Sequence, residues 1–138
     1  MMPPWLAKPV GPNLALTVLR VWMGAMMLWH GVPKFGRMEG FQQRVAEMGF
    51  PMPEFFAWAA ALSETLGGVS LILGLGFRIV LPLVAVTMAV AVFIAHAGDP
   101  FSRRELAATY GVVILVLWLL GPGRWSVDMW LAHRSQQR

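Results

Sequence analysis

Four side chains in this sequence could carry acid–base chemistry from apolar surroundings: Glu64 in ALSETLGG, His30 in LWHGVPKF, His96 in FIAHAGDP and Glu105 in SRRELAAT. A carboxylate and imidazoles can take up the protons released when a quinol is oxidised. Imidazole also binds copper, iron and zinc, and thioethers favour copper(I). The chain holds 10 methionines, with Met23, Met26 and Met27 just ahead of His30. Methionine is equally a soft filler of cores, and the histidines could bond loop backbone, Asp99 or Glu105. These residues leave the cofactor open, with a quinone ahead of copper, and no metal-ligand set is assigned.

What positions these groups follows from composition. Of 138 residues, 57% are hydrophobic and 13% charged, against the roughly 25% charge typical of soluble domains. Mean hydropathy is +0.61. Too few charges are present to cover a water-facing surface, so lipid is the expected solvent. Apolar segments run over 14–29, 55–74, 79–95 and 106–120. With flanking turns each approaches the roughly 20 residues that cross a bilayer. The expectation is an all-α fold, a transmembrane antiparallel four-helix bundle in one domain over 1–138, with spans near 14–34, 54–74, 78–96 and 104–121. The first segment, with no small-residue cleavage site after it, is expected to be a retained helix. GFQQRVAEMGF in the loop between the first two spans reads as a short amphipathic surface helix within residues 38–50, with Phe41, Val45 and Met48 on one face.

Local signals set the ends. Asn13 can cap the first helix. Pro53 and Glu54 suit the start of the second. Ser102 and Glu105 fit a capping box at the start of the fourth. Ser126 can cap a terminal helix with Asp128 in its first turn, where Asp128 could also hold Arg78 or Arg124. The chain has no cysteine, hence no thiol chemistry, and redox compartment cannot be read from it. The net charge of +4 fits arginines meeting anionic membrane lipids, and no basic helix or zinc spacing indicates nucleic acid. Lys and Arg counts on the two sides tie, with Lys8, Arg78, Arg124, Arg134 and Arg138 on one. Arg20 tips the balance toward both termini being cytoplasmic in a multi-pass protein of the cell inner membrane.

Antiparallel spans gather His30, Glu54, His96, Asp99 and Glu105 at one face, with Tyr110 slightly deeper. Glu64 alone lies near mid-depth. Arg20, Met23, Met27 and His30 form a stripe on the first helix. Ala57, Ala60, Ala61, Gly67 and Gly68 surround Glu64 with small residues, so the carboxylate should face the bundle. An ionisable group there is expensive and often functional. The structural alternatives are a pin to Arg20, whose long stem could bring its guanidinium deeper, or a carboxyl that keeps its proton. His30, His96 and Glu105 are expected to line one cavity with Glu64 as its floor. The tryptophans, Trp5 and Trp125 among them, mostly fall near interfaces. Trp22 and Trp118 lie deeper, where core packing is the simpler role and a planar quinone could stack on one of them; Arg20, Tyr110 and Trp22 are the cofactor-binding candidates.

Arg20, HGVPKF at 30–35, GFPMP before the second span, Glu64-Thr-Leu-Gly-Gly68, Gly76-Phe-Arg78, His96, Glu105 and GPGRWSVD occur in an order that resembles the DoxX family of small four-helix membrane proteins, from about Leu19 to Asp128. The resemblance implies the fold and an association with membrane redox complexes, including thiosulfate:quinone oxidoreductase subunits. Under that reading the protein is a redox-associated membrane subunit binding quinone or a small sulfur species. If catalytic, it is part of a quinone-linked oxidoreductase, working with a redox partner protein or as a homo-oligomer. Without cysteine it cannot carry a sulfur intermediate covalently, and GLGFR between two spans is a turn rather than a dinucleotide loop. The alternatives are a non-catalytic scaffold or binding subunit, or a copper-handling or transport protein.

Overall fold

The computed structural model describes residues 3–137 and is all-α, with no strand among the described residues. A short helix α1 (Pro4–Ala7) precedes α2 (Pro12–Phe35). The first loop holds α3 (Met38–Glu47), followed by α4 (Pro53–Leu73) and α5 (Phe77–Val90), which continues as a π-helical turn (Ala91–Ala95). After these come α6 (Phe101–Leu120) and α7 (Val127–Ser135). Trp5, expected in the interfacial belt, has its side chain outside the described residues, as does Arg138, counted above for topology.

Three helices are long and apolar enough to cross a membrane: Pro12–Phe35, Pro53–Leu73 and Phe77–Ala95. The protein is an integral membrane protein on this basis. Helix α6 is 20 residues long, but Arg103, Arg104 and Glu105 occupy its beginning. Large apolar side chains cover the outside, as lipid permits: Trp22, Leu66, Ile79, Leu83, Val86 and Leu119 are all exposed.

The long helices pack in chain order, α2 on α4, α4 on α5 and α5 on α6, and α2 meets α6 only lightly. The tightest crossing is α2 with α4. A Cβ at Gly24 would lie 2.7 Å from the Gly68 carbonyl oxygen, and one at Gly68 would meet Leu28 at 2.7 Å. Without side chains there, the backbones approach closely and gain dispersion contact, which drives helix association where lipid removes the hydrophobic incentive. Met23, Met27, Leu71, Phe77, Leu81, Val84, Met88, Ile114 and Leu117 fill the core between the helices. The thioethers of Met23 and Met27 are thus packed among hydrocarbons.

Two expected caps do not form. Helix α2 begins at Pro12 after Gly11, so Asn13 is already inside it, and its carbonyl accepts from the Thr17 hydroxyl at 2.8 Å. Helix α6 begins at Phe101 after Pro100, with no side-chain cap. Ser102 is therefore within the first turn and the box with Glu105 is not made. In both cases proline pre-sets the backbone one or two residues earlier than the hydroxyl or amide would. At α7 the Ser126 hydroxyl does accept from the Met129 amide, at 3.3 Å.

Candidate functional site

Glu64 is buried midway along α4, and its partner comes from α2. The Lys34 ammonium donates to both carboxylate oxygens, at 2.5 and 2.6 Å. Lys34 is in the last turn of α2, where the Phe35 ring already meets Trp58 at 5.7 Å between centroids. Helical side chains lean toward the N-terminus of their helix, so Lys34 projects back into the protein and reaches Glu64. The same ammonium lies 4.9 Å from the centre of the Phe41 ring of α3.

The pin between Glu64 and Arg20, the structural alternative, is not made. Arg20 is 2% exposed at the opposite end of α2, and its guanidinium donates to the Trp125 carbonyl at 2.7 Å. It lies against Gly74, where a Cβ would stand 1.8 Å from Nη1. Gly74 is ten residues from Glu64, about 15 Å along the helix, beyond the arginine's reach. Nε and Nη1 of Arg20 have no hydrogen-bond partner among the described residues. Asp128 holds neither Arg78 nor Arg124 by a hydrogen bond. Its two oxygens accept from the amides of Gly76 and Phe77 at 2.9 and 3.0 Å, capping α5, while its own amide donates to the Gly74 carbonyl. Arg78 donates to the Trp118 carbonyl at 2.7 Å.

A cavity of about 280 Å³ opens between α3, α4 and α5. Phe41, Val45, Phe50, Phe55, Phe56 and Val90 make its apolar wall. Lys34, Glu64, Thr87 and His96 supply the polar groups. His96 reaches the lining through the π turn. Its amide donates to the Ala91 carbonyl, five residues back, at 3.1 Å. Ala91 and His96 therefore stand one above the other, and both line the cavity together with Ala95. In a continuous α-helix the residue above Ala91 would be the fourth along, Ala95. Single π turns are frequent at functional sites. The His96 Nδ1 lies 2.7 Å from a carboxylate oxygen of Asp99. A carboxylate accepts there, which puts a ring hydrogen on Nδ1 and leaves Nε2 unengaged by Asp99.

The other expected members lie elsewhere. His30 sits on the edge of the α2 seam and points to α6, its ring 5.9 Å from the buried Tyr110 in an edge arrangement. Glu105 is exposed at the start of α6. Neither lines the cavity, because α2 and α6 barely touch and the space opens on the α3 side. Trp22 is 62% exposed and faces outward, far from Glu64. The structure thus brings together Glu64 and His96 and adds Lys34. Its signal was readable: the stripe Arg20, Met23, Met27 continues by four and three to Gly31 and Lys34, both on the α4 side. Among the described residues no group of three or more His, Asp or Glu gathers as a metal site would.

A Bacillus subtilis (strain 168) protein named "Putative oxidoreductase CatD" is 38% identical over 89 residues, covering 64% of this chain and 65% of its own length, so the match spans just under two thirds of that relative. The "Uncharacterized membrane protein Rv3486" of Mycobacterium tuberculosis is 28% identical over 96% of this chain and 90% of its own. No solved structure matches the chain. The DoxX family model matches residues 15–97, from the first turn of α2 past the π turn, so it includes Lys34, Glu64 and His96 but neither α6 nor α7. With most of the chain under that match, the protein belongs to the DoxX family.

Proposed function

We propose that this protein is a redox-associated subunit of the cell inner membrane, crossing it four times with both termini cytoplasmic, and that the cavity beside Glu64 holds the head of a quinone. The observation carrying this reading is the Lys34–Glu64 pair at the end of an aromatic-walled cavity that also contains His96. A volume of about 280 Å³ is near the lower limit of small-molecule sites, roughly 300–1,000 Å³, and suits a single ring. A quinone, when bound, supplies a two-electron, two-proton couple. Lys34 has three N–H donors and spends two on Glu64, so the third is available to a ligand carbonyl. Glu64 keeps the ammonium in place. His96, oriented by Asp99, offers Nε2 to accept a proton. Electrons pass to a partner protein, since the chain supplies no carrier of its own. The word oxidoreductase in the name of the Bacillus relative supports a redox assignment.

The test is purification in mild detergent followed by solvent extraction and mass analysis of bound quinone. Wild type should retain quinone, and Glu64→Gln should retain much less while melting as a folded protein. Equal quinone in both, or none in wild type, would remove the reading.

A further inference from the structure

We infer that the end of the molecule carrying α7 is a seat for the headgroup of an anionic phospholipid. Charge is divided unevenly along the protein. At the α7 end Lys8, Arg20, Arg78, Arg124 and Arg134 stand against Asp128 alone among the described residues. At the other end the basic residues are matched by Glu39, Glu47, Glu54, Asp99 and Glu105. The single acid at the α7 end is turned inward, where both its oxygens are occupied by the amides of Gly76 and Phe77. Arg20 is itself buried against the Trp125 carbonyl, so the outward cations at this end are Lys8, Arg78, Arg124 and Arg134, with no outward acid beside them among the described residues.

That face is also shaped. Arg124, Trp125, Met129, Trp130 and His133 enclose a groove of about 340 Å³. Trp125 and Trp130 are 59% and 52% exposed, although burial of an indole is favourable wherever an apolar neighbour is available. Indoles left outward at a membrane protein's end suit the headgroup level, where the ring body meets acyl chains and the N–H meets polar groups. Arg134 lies over the Trp130 ring at 4.0 Å, and the His133 ring holds the Met129 carbonyl through Nδ1 at 2.7 Å, so both side chains sit beside the groove in defined positions. Helix α7 cannot drift from this place. Asp128 fastens it to the α4–α5 turn, and Trp125, at the groove wall, receives the buried Arg20. The combination of a rigid short helix, outward indoles and unopposed arginines matches a phosphodiester headgroup with acyl chains beside it. A soluble anion would use the charges and leave the indoles without a purpose.

The experiment uses the full chain in mild detergent, with phosphatidylglycerol or phosphatidylcholine of identical acyl chains, and counts bound lipid by native mass spectrometry. Wild type should prefer phosphatidylglycerol. Arg124→Gln/Arg134→Gln should lower that preference by about fivefold for each arginine removed. Arg44→Gln/Arg103→Gln, two exposed arginines at the opposite end, should leave it unchanged. Trp130→Leu, which preserves charge, should weaken binding of both lipids. Equal binding of the two lipids by wild type, or the same loss in the Arg44/Arg103 variant, would overturn the assignment. So would displacement of phosphatidylglycerol by an equal concentration of inorganic phosphate, which would make this a free-anion site.

Discussion

The Lys34 ammonium lies 2.5 and 2.6 Å from the two oxygens of Glu64, and thereby ties the last turn of α2 to the middle of α4. Their side chains are 25% and 9% exposed, so little water screens the pair. Removing one partner of such a pair leaves an uncompensated charge. Lys34→Met should cost about 3–5 kcal/mol. Lys34→Met/Glu64→Leu should recover most of that loss, because neither charge is then present. Denaturation of the four proteins of the cycle measures the coupling. Independent, additive losses would mean that the pair contributes nothing to stability.

The α2–α4 crossing makes a second expectation. Gly24→Ala would drive a methyl group against the Gly68 carbonyl and Ile72, and backbone cannot yield as a side chain can. The loss should be about 1–3 kcal/mol. At Gly40 in α3 an added methyl would have nothing within 4 Å, so Gly40→Ala should stabilise by about 0.5–1 kcal/mol through helix propensity. Thermal melts of both variants should move in opposite directions.

Asp128 accepts from two amides at the first turn of α5. Asp128→Ala should cost about 0.5–2 kcal/mol as a lost cap, and Asp128→Asn less, since one amide oxygen still accepts. Hydrogen exchange at Gly76 and Phe77 provides the local readout: it should accelerate in the alanine variant. Unchanged protection there would mean that the turn is held by its own backbone.

Ala60 lines the cavity on α4. Ala60→Leu adds volume where there is space, so the melt should hold or rise slightly while bound quinone falls. A folded variant with full quinone content would move the ligand away from this cavity.

The long helices were legible in the sequence because their signal is additive: each apolar run sums over many residues, and no single position decides it. The depth of Glu64 and its inward direction follow from Ala57, Ala61, Gly67 and Gly68 on the same face. Partner choice was harder to read. Arg20 and Lys34 are both cations on the α4 side of one helix, and deciding between them requires the register of α2 against α4, which the Gly24–Gly68 contact sets. His30 and His96 looked equivalent at equal depth. They part because one extra residue per turn at Ala91–Ala95 rotates His96 onto the lining, and nothing in AVFIA announces a π turn. The caps at Asn13 and Ser102 failed for a local reason, since a proline upstream had already started each helix.

The bond from Arg20 to the Trp125 carbonyl also bears on how the protein is made. The donor is near the start of the chain and the acceptor 105 residues later. At synthesis rates of about 5–20 residues per second, the acceptor emerges roughly 5–20 s after the donor. Throughout that interval the first span presents a guanidinium to the insertion machinery with its eventual acceptor not yet synthesised. An isolated arginine within a span is costly in lipid. The first span should therefore remain with the translocon, or with a protein that shelters it, until the last helix arrives, and a ribosome stalled before Trp125 should leave a nascent chain that is recovered with the insertase instead of free in the bilayer.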